Sequence, residues 1–458
     1  MKKWIWLFVL ILIRLHLSPA LFGAEEGTDP QGKEEARAAT TPIPHLTLEE
    51  AVQIALEKNS EIRMAESSVA AAQARARSAS ADLLAKFETG YSMTRLSDDP
   101  EVIFGGGQPF ISGSKPNYLW TVGFTQPVFT GFALTTAREL ARLGVDTAKL
   151  EKEEIREEII LRTKEAYFQH LLAGRFRSVA EDAVKRLRAH LKDAQAMYDA
   201  GMIPRNDLLK SQVQLADAEQ ELVRAGNREE LTRSNLNLLL RRGINEDLLL
   251  EDILTWTPYA PSLEESLRQG LEQRPGVRVM DLGVEQAGQS VRLARSRYYP
   301  SILLVGEYYR QGDTFDVNGN GFTNTKNALI GLQTKWTFFE WGKTRADVTQ
   351  ALYEKDKAGE ARERIRDRVA IEIKQAYLDL QTAAKNIDTS KGAVEQAGEN
   401  YRITDLQYKE QMTTSTEVLD AETLLSQAEA HYYGALYGYN LALASLERAM
   451  GKGAWRRE

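Results

Sequence analysis

Two short segments contain residue types that other proteins use for phosphate and calcium chemistry. Gly342-Lys343-Thr344 has the ending of a phosphate-binding loop, but the glycine that this motif requires five residues earlier is Thr337. The stretch Asp316-Val317-Asn318-Gly319-Asn320-Gly321 begins like a calcium loop, but its twelfth position is Asn327, where that loop requires Glu. A glycine- and asparagine-rich turn is the favoured interpretation of this stretch, and a weak ion site is the alternative.

The remaining composition excludes several kinds of chemistry. The chain has no cysteine, so it can form neither a disulfide nor a thiolate metal site. Its histidines are isolated, and none forms a metal-binding pair at helical spacing. A net charge of −7 argues weakly against nucleic acid as a partner. We therefore predict no catalytic site, no resident metal and no cofactor.

Carboxylates at one place have a spacing that could act on ions. Glu417 and Asp420 are three residues apart, so they share one face if the segment is helical. The alternative is that they are solvated carboxylates near a helix N-terminus, where the helix dipole favours negative charge. The elements that position them decide between these readings.

Those elements are encoded twice. A period this long indicates a duplicated half-domain rather than a solenoid repeat. The separation changes from 215 to 210 residues along the chain, which predicts loops of different length between residues 96 and 126. The pairs at 215 include Leu48 with Leu263 and Arg95 with Arg310, and the pairs at 210 include Tyr167 with Tyr377 and Tyr198 with Tyr408.

The N-terminus has the pattern of an export signal. Lys2 and Lys3 precede an apolar run from Trp4 to Ile13, and small residues follow. This run is too short to span a bilayer stably, so we predict a signal peptide over 1–24, with a short N-terminal anchor as the alternative. Residues 25–45 are rich in Glu, Gly, Ala, Thr and Pro and predict a flexible leader.

In each copy the sequence pattern predicts a helical segment, two short strands, a very long helix and a return helix. The predicted helices cover 47–84, 132–199 and 205–241 in the first copy, and 262–298, 344–411 and 415–450 in the second. A helix of roughly 68 residues would extend about 100 Å. Lone helices of this length fit coiled-coil packing.

The predicted strands alternate apolar and polar side chains. Spacing by two places one set on a single face of each strand, and strands of about ten residues are long enough to cross a bilayer when tilted. A soluble pair of β-hairpins packed on helices is the alternative. The predicted lipid-facing residues are Phe87, Tyr91, Trp120, Val122, Phe124, Ile302, Leu304, Ile330, Leu332 and Trp336.

Four membrane strands cannot close into a barrel by themselves. An open edge in lipid leaves backbone groups unpaired, at a cost of several kcal/mol each. If these strands lie in a membrane, several chains must share one barrel, and three chains would supply twelve strands. No segment after the signal has eighteen consecutive apolar residues, which excludes a helical membrane span.

This order of elements, given twice, resembles the TolC-like outer-membrane efflux channels over about residues 47–450. No single motif is unique to that family, but the duplicated series is specific. In the first copy the resemblance is carried by Leu46-Thr47-Leu48-Glu49-Glu50-Ala51, Gln126-Pro127-Val128-Phe129-Thr130-Gly131, Tyr198-x-x-Gly201 and Asp207-Leu208-Leu209. In the second it is carried by Phe339-Glu340-Trp341-Gly342, Tyr408 and Glu417-Val418-Leu419-Asp420-Ala421.

The resemblance implies an α+β membrane protein. Its fold class is a trimeric twelve-stranded β-barrel, with four strands from each chain, continuous with a long α-helical barrel. It predicts a first repeat at 46–250, a linker at 251–261, a second repeat at 262–450 and a C-terminal tail at 451–458.

The resemblance also implies a location and partners. It places a homotrimer in the outer membrane of a Gram-negative bacterium, in contact with lipid and with its tunnel in the periplasm. A periplasmic adaptor (membrane fusion) protein and an inner-membrane RND or ABC transporter are the implied partners. The predicted function is an outer-membrane exit channel of a tripartite efflux or type I secretion complex; the alternative is a non-channel periplasmic coiled-coil scaffold.

In that family acidic residues constrict the tunnel at the helical tips. Matched residue by residue, the gate positions fall on Asp207, Tyr408, Glu417 and Asp420. Threefold symmetry would turn each carboxylate into a ring, and such rings attract cations and repel anions. The family's gate arginine falls on Thr413, so the charged lock that arginine makes is in doubt in this chain.

Overall fold

A computed structural model of the protein describes residues 45–103, 105–259 and 261–452. The predicted signal peptide and leader lie outside the described residues, apart from His45, and so does the tail from residue 453 onward. The limits that the sequence suggests for the repeats and the linker remain predictions.

The described part of the first copy contains four helices and four strands. In chain order they are α1 (Leu48–Lys58), α2 (Ser60–Ala81), β1 (Lys86–Arg95), β2 (Glu101–Val102), β3 (Phe110–Ile111), β4 (Pro116–Thr130), α3 (Ala133–Asp199) and α4 (Arg205–Leu239). The second copy contains α5 (Leu263–Gln273), α6 (Pro275–Arg295), a short 3-10 helix (Ser296–Tyr298), β5 (Ser301–Gly312), β6 (Lys326–Lys335), α7 (Lys343–Lys409) and α8 (Ser415–Ala449).

The two copies coincide at the offsets found in the sequence. Helices α1 and α5 begin 215 residues apart, at Leu48 and Leu263, and α3 and α7 begin 210 residues apart. The long helices α3 and α7 both have 67 residues, and the return helices α4 and α8 both have 35. The difference in length lies between the strands, because residues 96–115 separate β1 from β4 whereas 313–325 separate β5 from β6. None of the helices in the described ranges has a stretch apolar enough to cross a membrane.

Each first helical segment is broken, whereas the periodicity predicts one continuous helix. In the first copy the break is at Asn59, whose side-chain Oδ1 accepts from the Glu61 N–H at 2.7 Å and caps α2. In the second copy it is at Pro275, which starts α6 as a proline in the first turn. Asparagine is a favoured cap, and proline tolerates only the start of a helix, so both copies reach the same bend by different chemistry.

The strand-to-helix turns need two successive residues in the left-handed backbone region. These are Gly131 and Phe132 before α3 (φ 62° and 69°), and Trp341 and Gly342 before α7 (φ 55° and 82°). Only glycine adopts this region without strain, so each turn places one aromatic residue under strain beside its glycine.

Equivalent side chains then cap the two long helices. Thr130 Oγ1 accepts from the Leu134 N–H at 3.4 Å, and Glu340 Oε1 accepts from the Thr344 N–H at 3.0 Å. Both satisfy a free N–H of the first helical turn.

The four long strands form one antiparallel sheet in the order β1-β4-β5-β6. The two copies meet at its centre, where β4 pairs with β5, and a bulge interrupts that ladder between Pro127 and Phe129. Strands β1 and β6 are the two edges, and every residue of both is exposed. The small hairpin of β2 and β3 was not predicted and lies in the loop between β1 and β4.

The hydrophobic core lies where the short helices and the inter-copy segment cover the long helices. Leu46 pairs with this segment, since its N–H donates to Leu249 O at 2.8 Å and its carbonyl accepts from Glu251 N at 3.2 Å. The fully buried Tyr167 hydroxyl lies against both strands of this pair, 2.8 Å from Leu46 O and 2.9 Å from Glu251 O. One side chain of α3 therefore fixes the first described residues to the connection between the copies.

We predict that Tyr167→Phe destabilises the protein. The hydroxyl has a single proton to share between the carbonyls of Leu46 and Glu251, so its loss removes one hydrogen bond, at a cost of about 0.5–1.5 kcal/mol. Thermal unfolding of the purified protein in detergent measures the loss as a lower melting temperature.

The duplication supplies the control. Tyr377 is the counterpart of Tyr167 in the second copy, but among the described residues its hydroxyl accepts only from the exposed Gln381 amide, at 2.8 Å. Tyr377→Phe should leave the melting temperature nearly unchanged. Equal losses in the two variants would contradict the role given to Tyr167.

Candidate functional site

The strand register gathers the predicted lipid-facing residues on one face of the sheet. Directly opposed residues of an antiparallel ladder share a face. Phe87 is opposite Phe124, and Leu304 is opposite Leu332. Followed across all three ladders, the face holds nine of the ten predicted residues: Phe87, Tyr91, Trp120, Val122, Phe124, Ile302, Leu304, Ile330 and Leu332.

Trp336 is the tenth residue, and its placement within a strand is wrong. Strand β6 ends at Lys335, which pairs with Ser301, the first residue of β5. The residues that precede β5 form the 3-10 helix, so the ladder between β5 and β6 does not continue beyond this pair. The Trp336 indole instead donates to Tyr298 O at 3.1 Å.

The opposite face of the same sheet, which we call the polar face, is less apolar, although Leu119, Leu303, Val305 and Leu329 also lie on it. It carries the side chains of Lys86, Glu88, Glu307 and Lys335, together with small residues such as Ser92 and Thr121. The first face is thus the richer in aromatic residues, and the second carries the carboxylates Glu88 and Glu307, which is the bias expected of strands between lipid and water.

The two helical hairpins turn at tips that touch each other. The turn at 200–204 uses Gly201 at φ 75°, and the turn at 410–414 places Gln411 at φ 60° in the equivalent position. The sequence shows that the glycine is lost in the second copy, but the left-handed conformation is kept. The Gln411 amide donates to the Met202 sulfur at 2.9 Å, which joins the two tips.

The three predicted gate carboxylates lie immediately behind these tips. Asp207 and Glu417 are equivalent, because each is the third residue of its return helix. Asp207 is partly buried and lies 3.7 Å from Lys210 Nζ. Glu417 and Asp420 are exposed, and neither forms an ion pair within the described part of the chain. Their charge is therefore available to a partner or to ions.

Tyr408 is placed differently from the carboxylates. It is 2% exposed, and its ring lies 4.7 Å from that of His190, centroid to centroid. Burial raises the pKa of the Tyr408 hydroxyl above its ordinary value. Thr413, the position of the family's gate arginine, lies in the second turn and carries no charge.

Two polar clusters between the hairpins, one partly buried and one buried, were not foreseen from the sequence. Arg186 on α3 reaches α8, where it lies 3.3 Å from Glu422 and 3.4 Å from Glu429. Nearer the tips, His190 Nε2 lies 2.8 Å from Ser415 Oγ. The sequence did contain a signal for the second cluster. Leu187, His190 and Ala194 follow the three-and-four spacing of the buried face of a helix, and all three are buried.

The two motif-like segments have structural roles. Gly342 and the residues after it form the capped start of α7. In the other segment the Asp316 carboxylate accepts from Thr314 Oγ1 at 2.6 Å and from the Asn318 amide. The described residues contain no cluster of three or more histidine or acidic side chains that could hold a metal.

Comparison with known proteins gives a consistent result. The sequence profile of the outer membrane efflux protein family matches residues 51–240 and 267–452. The chain is 21% identical to the pyoverdine export outer membrane protein OpmQ of Pseudomonas putida over 90% of this chain and 87% of that one. It is 23% identical to nodulation protein T of Rhizobium leguminosarum bv. trifolii over 69% of this chain, and the match spans 66% of that protein, just under two thirds of its length.

The fold is shared with a solved channel. The crystal structure of the Campylobacter jejuni CmeC outer membrane channel superposes with a TM-score of 0.77 over 95% of each chain, at 17% identity. This confirms the predicted TolC-like fold, with four long strands and the long helices in one chain.

Sheet, tips and fold together define an outer-membrane channel. The chain belongs to the outer membrane efflux protein family, whose profile matches both of its copies. It is an efflux channel of the outer membrane of a Gram-negative bacterium, and the scaffold alternative is set aside.

The sheet register predicts the effect of a charge on one strand. Leu332→Arg puts a cation on the apolar face and should cost about 2–4 kcal/mol if the position lies near the bilayer midplane. The measurement is the yield of folded, heat-modifiable protein in outer-membrane fractions, which should fall.

Gln333→Arg is the matched control, since its side chain lies on the polar face one residue further along β6. This variant should assemble normally. Normal assembly of both variants would mean that the apolar face does not meet lipid.

Proposed function

We propose that three copies of this chain form one passive exit duct. The observation that carries the proposal is the four-stranded sheet with two fully exposed edges, β1 and β6. Pairing β6 of one copy with β1 of the next closes a barrel and satisfies both edges. The helices of 67 residues then continue the duct for about 100 Å into the periplasm.

The helical tips form the closed end of this duct. Glu417 and Asp420 share a face of α8, and threefold symmetry converts each into a ring of three carboxylates. Asp207, at the equivalent position of α4, adds a third ring. Tyr408 supports the gate from the buried side, where it packs between the hairpins. Carboxylate rings at a constriction favour cations over anions.

Cargo reaches the duct from an inner-membrane transporter through a periplasmic adaptor. Support comes from a groove of about 700 Å³ between α3, α4 and α8, whose floor is rich in alanine and whose rim is charged. Such a groove accepts a helical segment of a partner, because small side chains admit close approach and charges fix its register. The floor includes Ala180, Ala183, Ala218, Ala225 and Ala430, and the rim includes Asp217, Glu221, Arg224 and Arg228.

The inner-membrane transporter, rather than this chain, determines which substrate is exported. The related OpmQ is named for pyoverdine export, but its name describes that protein alone. We propose an efflux or type I secretion role with an RND or ABC transporter as the energy source.

The number of chains in the assembly is tested by measuring its mass. In mild detergent, size-exclusion chromatography with light scattering should give a protein mass close to three chains, because one chain leaves both sheet edges unpaired. A monodisperse monomer that stays in solution without detergent would refute the duct.

The gate is tested by single-channel recording. Glu417→Ala with Asp420→Ala removes six carboxylates per trimer, two from each chain. Cation selectivity should fall and block by multivalent cations should weaken, because the focused negative potential is lost.

Asp388→Ala is the control for this variant. Asp388 is an exposed carboxylate of α7 about 30 Å from the tip, at 1.5 Å per residue. Its loss should leave selectivity and block unchanged. If the double variant also keeps both properties, the two carboxylates do not line the constriction.

A further inference from the structure

All four long helices meet at one buried polar cluster near the tips. We call it the tip cluster; it consists of His190 on α3, Ser211 on α4, Tyr408 on α7 and Ser415 on α8. Each of the four residues is at most 2% exposed. It is the kind of polar seam contact that fixes how helices associate rather than how strongly.

The hydrogen bonds of the cluster have only one consistent direction. Ser211 Oγ donates its single proton to Asp207 O at 3.1 Å. Ser415 Oγ, at 3.0 Å, must therefore donate to Ser211 and accept from His190 Nε2 at 2.8 Å. The neutral imidazole consequently carries its proton on Nε2 and has a bare nitrogen at Nδ1.

That second nitrogen is where a proton would add. His190 Nδ1 is buried and has no hydrogen-bond partner among the described residues, and the same is true of the Tyr408 hydroxyl. Protonation would place a charge and an unsatisfied donor between the hairpins. Both are costly in a buried site and are relieved when the hairpins separate and water enters.

The charges around the cluster do not remove this cost. Asp193 on α3 and Asp405 on α7 face His190, but Lys409 on α7 lies 3.8 Å from the first and 2.8 Å from the second.

The return helices offer no free acceptor. From α4, Asp207 lies 3.7 Å from Lys210, which also donates to Thr416 of α8 at 3.2 Å. Glu417, the first carboxylate of α8 along the chain, is exposed, and the buried Glu422 pairs with Arg186. Burial holds the pKa of His190 below its ordinary value, the two aspartates oppose this, and Lys409 adds to it.

We propose that His190 is a proton-responsive latch which holds the two hairpins together at the closed tip and releases them when Nδ1 is protonated. The inference rests on the proposed channel with its closed end at the tips. A separated tip exposes His190, whose pKa returns towards about 6.5. Below that pH the separated state binds more protons than the closed one, so acidification favours opening.

The latch exists once in each chain. The residue 210 positions after His190 is Asn400, and the counterpart of Ser211 is Ala421. A trimer would therefore carry three latches, one at each contact between the first and second hairpin of a chain.

The test is the pH dependence of the open probability in planar bilayers between about pH 8 and pH 5, above the ordinary pKa range of carboxylates. The wild-type channel should open more often as the pH falls. His190→Gln keeps a donor for Ser415 but cannot be protonated, so its open probability should change much less than that of the wild type over this range. A difference of one pKa unit between the two states corresponds to about a tenfold change in their ratio.

His170→Gln is the matched control. His170 is also on α3 and buried, and burial lowers its pKa too, but it bonds to Thr232 of the same hairpin at 3.1 Å. This variant should keep the wild-type response. A cysteine pair at Met202 and Gln411, which touch across the tips of this cysteine-free chain, should abolish the response when oxidised and restore it on reduction.

The outcomes separate this inference from the proposed function. Trimeric channels whose pH response is the same in wild type and His190→Gln would overturn the latch and leave the duct intact. Absence of channels at every pH, together with a monomeric mass, would overturn the duct itself.

Discussion

The backbone groups along the free sides of β1 and β6 are the constraint on which the rest of the architecture depends. Each is a donor or acceptor that lipid cannot satisfy, so a single chain is incomplete wherever its apolar face meets the membrane. In the proposed duct, pairing between copies removes this defect, so the barrel needs more than one chain. In the proposed duct the helices surround one common axis, and Glu417 and Asp420 would then form rings although each chain supplies only one of each.

Much of this architecture could be predicted because its signals are periodic. Leucines 48 and 263 begin equivalent helices, and the turn residues near Gly201 and Gln411 end equivalent hairpins. The alternation in the sequence assigned Phe87, Trp120 and Leu332 to one face, and the strand ladders place them on the same face. A pairing shifted by one residue would have moved a whole strand's apolar side chains to the other face. Both the long helices and the apolar face depend on local sequence, which a single chain displays.

What could not be predicted depends on contacts between distant segments. Trp336 continues the alternation of β6, but its strand partner has already ended at Ser301. Asn59 looks like any polar residue in a helix until its side chain is seen to cap the next one. His190 and Ser415 are 225 residues apart, and no spacing rule links them. Polar residues at buried seam positions were the available clue, but their partners required the fold.

The pairing of Leu46 with the segment between the copies has a consequence for biogenesis. A chain is synthesised from its N-terminus, so Leu46 emerges long before Leu249 and Glu251, which complete its hydrogen bonds. The segment that appears first thus reaches its native environment late, after some two hundred further residues have crossed the inner membrane. Until then its backbone groups lack these partners, so the last steps of folding wait for the second copy to begin.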